Sequence, residues 1–409
     1  MSSAWSSAAI CFLKSLHDPG TGGDRSVPNG PVTLYGTCYA SLAKYYLGFG
    51  EPLAESTRTF IADCQDPDTG LLIGPELRAY EPPAEVMHDR EHLLFHLTCT
   101  ALPTCQHFDI PVKYAVSAAH RFCDLNVLQN WMDRRDLKNA WVEGNNILFV
   151  GQLLVYLRDV ERYPGAQAAL DMWFYWLDTH LDPANGLWGT NGYCSALHAV
   201  CGGYHQLLVY YHEHHCLANP SGMVDTVLSL QHWDGGFNPD GNAGACEDVD
   251  SVDILVNLYK RLDYRRADIR VALRRCLRHV LATQNVDGGF PYNLNSGQSH
   301  MGIPGTQALP NMSTTFSTWF RIHTLALIAE ILSGEPDLAG VPFRFSKSLS
   351  MGWHRSPTDW VPKVTIGGRW RELHLTASYQ AKRATGLAIN QVRRIKRFGR
   401  RVLWKIKLR

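Results

Sequence analysis

The chain has 409 residues, of which 45% are hydrophobic and 19% are charged, and its formal net charge is +1. This length and composition allow a large buried core, in one big domain or two ordinary ones, and they exclude general disorder. No apolar run approaches the roughly 20 residues that a helix needs to span a bilayer.

Eleven cysteines, an odd number without a Cys-x-x-Cys pair, are scattered from Cys11 to Cys276. This usage favours reduced, mostly buried thiols over a disulfide framework or a zinc ribbon. The first residues, Met1 to Lys14, lack a basic start before their short apolar stretch, which argues against a secretory signal. We therefore expect a cytoplasmic protein.

Apolar residues recur at three- and four-residue steps along most of the chain, and clear alternating strands are missing. A loop rich in glycine and proline is predicted over residues 18–31. The periodicity predicts helices at about 36–48, 52–64, 88–102, 112–124, 142–160, 166–180, 195–215, 221–231, 248–262, 266–284 and 313–333. This pattern is typical of an all-α domain of paired helices.

One turn sequence occurs twice, as Gln231-His-Trp-Asp-Gly-Gly-Phe237 and, 53 residues later, as Gln284-Asn-Val-Asp-Gly-Gly-Phe290. Looser versions begin at Gln65 and Leu181. The spacing suits one helical hairpin with its loops, so the turns predict a ring or stack of hairpins. Paired glycines permit a positive φ, the Asp can cap the turn and the Phe can anchor it, so we assign these residues to the scaffold.

The two turns and their spacing resemble the terpenoid cyclase and protein prenyltransferase superfamily, in particular the squalene cyclases, over residues 36–333. Phe237 and Phe290 stand where the squalene cyclase motif has Trp. Domains of this superfamily are α/α toroids, so the resemblance implies an all-α, (α/α)6-type toroid. We place this domain at residues 1–340 and an irregular C-terminal extension at residues 341–409.

An acidic segment, Glu247 to Asp253, directly follows the first turn. On a helix that begins near Glu247, Asp250, Asp253 and Asn257 share one face, which in a toroid can look into the central cavity. Several carboxyl groups close together cannot all ionise easily, so one is expected to keep its proton. The structural alternative is that the helix dipole stabilises these acids, which lowers a carboxyl pKa.

The acidic segment resembles the Asp-x-Asp-Asp motif with which class II terpene cyclases protonate an alkene or epoxide. The resemblance implies a terpenoid or isoprenoid cyclase that acts on a hydrophobic small molecule. Asp250 would donate the proton next to Asp248, although Ser251 replaces the last Asp of the motif, and Asp253 completes the predicted catalytic set. The predicted substrate-binding residues are Glu247, Asn257, Trp188, His205 and Trp319.

Two other functions stay open from the sequence. Helical toroids also process glycans, where two carboxyl groups flank a glycosidic bond, and Glu143, Glu91 and Asp250 could form such a set. His205 and Trp188 could then bind a sugar. The other alternative is a non-catalytic toroid that binds a lipid or a protein partner.

No metal site is predicted. His88, His92 and His96 recur every four residues and can bind a transition metal, but hydrogen-bonded core or surface histidines are the commoner outcome of this pattern. No cofactor is expected, apart from Mg²⁺ if the substrate is a diphosphate.

The C-terminal tail is strongly basic. Residues 393–409 contain nine Lys or Arg residues and no acid, so the rest of the chain has a formal charge of −8, the difference between +1 and +9. Val392, Ile395, Phe398 and Val402 lie on one side of a predicted amphipathic helix. Such a helix can adsorb to an anionic membrane surface or dock on the acidic body. We expect no nucleic-acid partner, because no recognised nucleic-acid module is present.

Overall fold

The structure is a computed structural model that describes residues 3–50, 52–83, 88–191, 194–345 and 349. Its α-helices are α1 (Ala4–Ser15), α2 (Leu34–Tyr46), α3 (Glu55–Ala62), α4 (Pro75–Arg78), α5 (Arg90–His107), α6 (Leu125–Met132), α7 (Ala140–Tyr156), α8 (Ala166–His180), α9 (Ala196–His212), α10 (Pro220–Leu230), α11 (Ala245–Arg261), α12 (Arg266–Ala282) and α13 (Thr315–Leu332).

Short elements join these helices. Ser117–Cys123 and Leu137–Asn139 are 3₁₀ helices, and Leu157–Glu161 continues α7 as a π-helical turn. Two-residue strands form two small antiparallel pairs, β1 (Asp24–Arg25) with β2 (Val32–Thr33) and β3 (Gln298–Ser299) with β4 (Gln307–Ala308).

Six of the helices form a closed inner ring. In ring order these helices are α2, α5, α7, α9, α11 and α13, each packs on the next, and α13 returns to α2. The helices α1, α3, α8, α10 and α12, together with the segment that contains α6, lie outside this ring. The all-α fold of paired helices in an (α/α)6-type toroid, which the sequence predicted, is confirmed.

The amino-acid pattern explains which helices are inside. Every residue of α13 from Thr315 to Ile328 is buried, because this inner helix has neighbours on all sides. The outer helix α12 instead buries one stripe that includes Ile269, Leu273 and Leu277. Its remaining face carries arginines that can stay in water.

The repeated turn connects an outer helix to the following inner helix. The first glycine of each copy has a positive φ, +104° at Gly235 and +90° at Gly288. The side chain of Gln231 donates to the backbone oxygens of Gly235 and of Ala272 in the next outer helix, both at 2.8 Å. Each turn therefore fastens its own hairpin to the neighbouring one, which agrees with its assignment to the scaffold.

The second turn offers a direct test of this fastening role. Gln284 donates to the carbonyl of Gly288 at 2.8 Å and to that of Trp5 in α1 at 2.9 Å, where the ring closes. We expect Gln284→Met to lower the free energy of unfolding by about 1–3 kcal/mol, since two carbonyls lose their donor. Urea unfolding measures this loss. Gln129→Met is the control, because the Gln129 amide bonds to Asp133 on the surface, and an equal loss there would contradict the prediction.

Two sequence predictions fall largely outside the described residues. The basic tail at residues 393–409 lies wholly outside them, and the extension predicted for 341–409 is described only at residues 341–345 and 349. Among the described helices, none is both long enough and apolar enough to cross a membrane.

Candidate active site in the central cavity

A cavity of about 450 Å³ lies inside the ring, at the amino-terminal halves of the inner helices. Imidazoles, amides and aromatic rings dominate its wall. The described lining residues are His88, His92, His96, Asn139, Trp141, Val142, Asn145, His198, His205, Cys246, Asp250, Tyr292, Gln298, Ser299, His300, Met301, Phe316 and Phe320. His198 and Ser299 are exposed, so the cavity opens to solvent at their edge.

Helix α5 and the segment just before it supply a row of imidazoles to this wall. The ring centroids of His88 and His92 are 4.3 Å apart, and those of His92 and His96 are 6.2 Å apart. His300, from the loop before α13, packs edge-on against His96 at 5.5 Å. Four-residue spacing therefore places His92 and His96 of α5 on the cavity side, His88 joins them from just before the helix, and a distant loop adds a fourth imidazole.

Burial keeps these histidines neutral. It lowers the pKa of His92 and of His300 from 6.5 to about 3, and that of His205 to about 4. The pKa of His96 is also well below its ordinary value, because the ring is buried and lies beside other imidazoles. At neutral pH each ring can therefore accept a proton from a bound molecule.

The buried imidazoles predict a loss of stability in acid. The unfolded chain binds protons at these sites as the pH falls through 6.5, whereas folded His92 and His300 bind them only near pH 3. The contribution of these histidines to stability should therefore be complete above pH 6.5 and fall steadily from there towards pH 3. Urea midpoints across this range measure the slope. We expect His300→Gln to flatten the slope, and a wild-type midpoint that stays constant from pH 6.5 to 4 would contradict this account.

Hydrogen bonds fix the tautomers of two of these rings. His205 Nδ1 lies 2.6 Å from the carbonyl oxygen of Cys201, which can only accept, so Nδ1 carries the proton. His92 Nδ1 lies 2.8 Å from Asn146 Oδ1. Among the described residues, Nε2 of His92 and Nε2 of His205 have no hydrogen-bond partner. Each ring therefore keeps an available lone pair on Nε2.

Asp250 is the carboxylic acid of the described cavity wall. Its side chain is 1% exposed, and neither carboxyl oxygen meets the geometry of a hydrogen bond with a described residue. Burial raises the pKa of Asp250 well above its ordinary value, the neighbouring Cys201 thiol lowers it in part, and Asp253 and Glu247 raise it further. The raised pKa favours the protonated form of Asp250, which can donate to a bound molecule.

Asp248 lies on another side of α11 and holds the scaffold together. It forms a buried ion pair with Arg321 of α13, and its Oδ1 accepts from the backbone N–H of Phe237 at 2.9 Å. Three other hairpins form the same backbone contact with a threonine hydroxyl, in the pairs Asp24–Thr37, Leu72–Thr98 and Phe290–Thr318. In one hairpin Asp248 therefore accepts the backbone hydrogen bond that a threonine hydroxyl accepts in the three others.

The other acidic-segment residues also bond within the protein. Glu247 closes a capping box at the start of α11, accepting from the backbone N–H of Gly244 and from Asn238 at 3.0 Å. Asn257 donates to Asp253 Oδ1 at 2.8 Å one turn further along the helix. Neither Asp253 nor Asn257 belongs to the described cavity wall.

The two tryptophans predicted to bind substrate lie in the core. Trp188 donates its indole N–H to the carbonyl of Leu177 at 2.9 Å, and Trp319 stacks on Tyr39 with centroids 4.5 Å apart. Neither lines the described part of the cavity. Of the eight site residues predicted from the sequence, the cavity wall brings together Asp250 and His205.

The carboxylates considered for glycan chemistry do not meet in the cavity. Glu91 pairs with Arg121 at the surface, and Glu143 pairs with Arg135 at 3.0 Å. Only Asp250 of the three lines the described wall.

The sequence drew attention to His88, His92 and His96 as a possible metal site, but it missed the remaining wall residues. His300 and Tyr292 come from an irregular loop, and no periodic pattern relates them to α5. The sequence did contain a signal for His198 and Asn145, because both lie near the start of a predicted helix. In a ring of helical hairpins, the first residues of the inner helices lie around the same end of the central cavity. In the described ranges, no three His, Cys, Asp or Glu side chains are grouped so as to hold a metal ion.

Comparisons with known proteins are sparse. No family model matches the chain, and no curated protein matches it. Among solved structures, the chain is similar to a polysaccharide lyase, with 12% sequence identity and a TM-score of 0.44 over 81% of this chain and 99% of the lyase. Membership of the terpenoid cyclase and prenyltransferase superfamily is not confirmed.

The predicted terpenoid cyclase activity is wrong. The cavity wall has the wrong chemistry for a cyclase, because imidazoles line it beside Asp250. The Nε2 lone pairs of His92 and His205 are far stronger bases than an alkene, so a proton released by Asp250 would go to an imidazole first. The same lone pairs would capture any carbocation that formed.

Proposed function

We propose that the chain is a glycan-processing enzyme that cleaves an acidic glycan by elimination in the central cavity. The observation that carries this proposal is the presence, on one cavity wall, of neutral imidazoles with available Nε2 atoms and of the protonated carboxyl group of Asp250. Acid–base cleavage needs a base and an acid at the same bound molecule. Hydrolysis would use a second carboxyl group, which the described wall lacks.

Of the two imidazoles with fixed tautomers, His92 has the surroundings that suit proton abstraction, although its pKa of about 3 lies below the pKa of about 4 of His205. On the side of His92 away from the cavity, Asn146 contacts Nδ1 and donates to the carboxylate of Glu143. This carboxylate stabilises the imidazolium that forms when Nε2 takes a proton. His205 Nδ1 instead contacts the backbone carbonyl of Cys201, which has no net charge to stabilise an imidazolium. We therefore assign proton abstraction to His92 and hydrogen bonding of a sugar hydroxyl to His205.

The reaction balances with these two groups. His92 Nε2 takes the proton from the sugar carbon next to the carboxylate, and the electron pair of that C–H bond forms a C=C double bond. The bond between the neighbouring carbon and the glycosidic oxygen breaks, and Asp250 gives its proton to the departing oxygen. The proton then passes from His92 back to Asp250 through solvent.

The charge of the cavity supports an acidic substrate. The raised pKa of Asp250 favours its neutral form, and the described wall contains no other carboxyl group. The amino-terminal halves of α5, α7, α9, α11 and α13 adjoin the cavity, and helix amino termini carry a partial positive charge. A uronate carboxylate is favoured in such a field, and a cationic sugar is disfavoured.

The test is incubation with a panel of uronate-containing polysaccharides and with the same polymers after reduction of their carboxyl groups. Elimination produces an ultraviolet-absorbing unsaturated sugar together with a new reducing end. Cleavage of the acidic polymers alone, with this absorbance, supports the proposal. Reducing ends without absorbance, or cleavage of the reduced polymers, would contradict elimination, and an inert panel would count against glycan cleavage itself.

A further inference from the structure

A chain of polar contacts runs from His92 away from the cavity into helix α7. Asn146 Oδ1 lies 2.8 Å from His92 Nδ1, and Asn146 Nδ2 donates to Glu143 Oε2 at 3.0 Å. The same carboxylate accepts from Arg135 Nη1 at 3.0 Å. Arg135 is held in turn, with its guanidinium 4.1 Å from the centre of the Trp131 ring.

The donor and the acceptor of each hydrogen bond in these contacts follow from the charged pair Arg135 and Glu143. A guanidinium only donates and a carboxylate only accepts, so Asn146 must turn its NH₂ group towards Glu143. Its oxygen then faces His92, and His92 Nδ1 must carry the proton. The lone pair of His92 is thereby confined to Nε2, on the side of the cavity.

We propose that Glu143 and Asn146 are positioning residues that fix the tautomer of His92 and hold its Nε2 lone pair ready for a substrate proton. The role in catalysis rests on the proposed function, whereas the tautomer itself is a property of the unliganded protein. Packing assists the bonds, since the Phe149 and His92 rings pack edge-to-face with their centroids 5.3 Å apart, which limits rotation of the imidazole.

Other titratable groups near His92 do not set its tautomer. They are imidazoles that act on its proton affinity by charge alone, namely His88 just before α5, His96 from α5, His205 from α9 and His300 from the loop before α13. Glu143 acts through Asn146 and is the carboxylate behind this ring. A change at Glu143 therefore tests the contact chain separately from the surrounding charge.

The experiment compares Glu143→Gln and Asn146→Leu with the wild-type chain by nitrogen NMR of the histidine rings, without substrate. The amide of Glu143→Gln can donate as well as accept, so Asn146 can turn over and the second tautomer of His92 becomes populated. We expect the wild type to show Nδ1–H alone and both variants to show mixed tautomers. Unchanged His92 signals in both variants would overturn the proposal.

Kinetics on a cleaved polymer give the second measurement. We expect each variant to lower kcat about tenfold with little change in KM, as for loss of one net hydrogen bond. The matched control is Glu91→Gln, a carboxylate on α5 that pairs with Arg121 at the surface and should leave the His92 signals and kcat unchanged. A mixed tautomer with unchanged kcat would remove the catalytic role of the contact chain. If the variants show mixed tautomers but the wild-type chain cleaves none of the polymers, the contacts still fix the tautomer of His92 and the proposed function is wrong.

Discussion

Asp248→Ala is expected to lower the free energy of unfolding by about 3–5 kcal/mol, the usual cost of leaving one member of a buried ion pair alone. Arg321 is fully buried, and its other bonds reach the carbonyls of Ala243 and Tyr292, both at 2.9 Å. These carbonyls cannot neutralise its charge. Phe237 also loses the acceptor for its backbone N–H. Chemical denaturation measured at one pH gives the loss.

A double substitution separates the charge from the backbone contact. Asp248→Thr restores the hydroxyl acceptor that Thr318 provides in the next hairpin, and Arg321→Met removes the buried charge. We expect the double variant to be about 1–2 kcal/mol more stable than Asp248→Thr alone, because a buried unpaired charge costs more than two carbonyls without donors. Glu91→Ala, which breaks an exposed ion pair, should cost less than about 1 kcal/mol. A double variant no more stable than the single one would contradict the assignment of Asp248 to the scaffold.

The sequence was sufficient to predict the ring of helices, because the patterns that predict helices and turns lie within short stretches of the chain. Three- and four-residue periodicity predicted the helices, and the repeated turn predicted their pairing. The helix α1 and the short helix α6 were missed, because α1 has an N-terminal position without a preceding turn and α6 lies within a poorly periodic stretch. These omissions did not change the fold class, since both helices lie outside the inner ring.

The cavity was harder to predict because its wall is assembled from distant segments. Asp248 and Asp250 are two residues apart, yet one faces Arg321 in the scaffold and the other lines the cavity. A helical projection shows that the two side chains lie on different faces of the helix, but it does not show which face lines the cavity. The partner that decides the role of Asp248, Arg321, is 73 residues away. Resemblance to a cyclase motif therefore gave both acids a chemical role, because the sequence could not separate the acid in the scaffold from the acid in the cavity.

The removal of Asp250 or His92 is expected to have the largest effect on activity. Asp250→Asn deletes the proton donor, and His92→Gln deletes the base while keeping a polar side chain. Each should lower kcat by about 10²–10⁴-fold on the acidic polymer, the range for loss of a general acid or base. Asp171→Asn, on the outer surface of α8, is the matched control and should stay near wild type.

The pH dependence of kcat/KM identifies the two roles. His92 must be neutral to take a proton, so the wild-type rate should fall only as the pH drops towards about 3, the pKa of His92. Asp250 must be protonated to donate, and burial raises its pKa, so the rate should fall again at higher pH as Asp250 ionises. Asp250→Asn should abolish this upper decline, because Asn does not ionise. A variant that keeps the wild-type decline at high pH would show that another group is the acid.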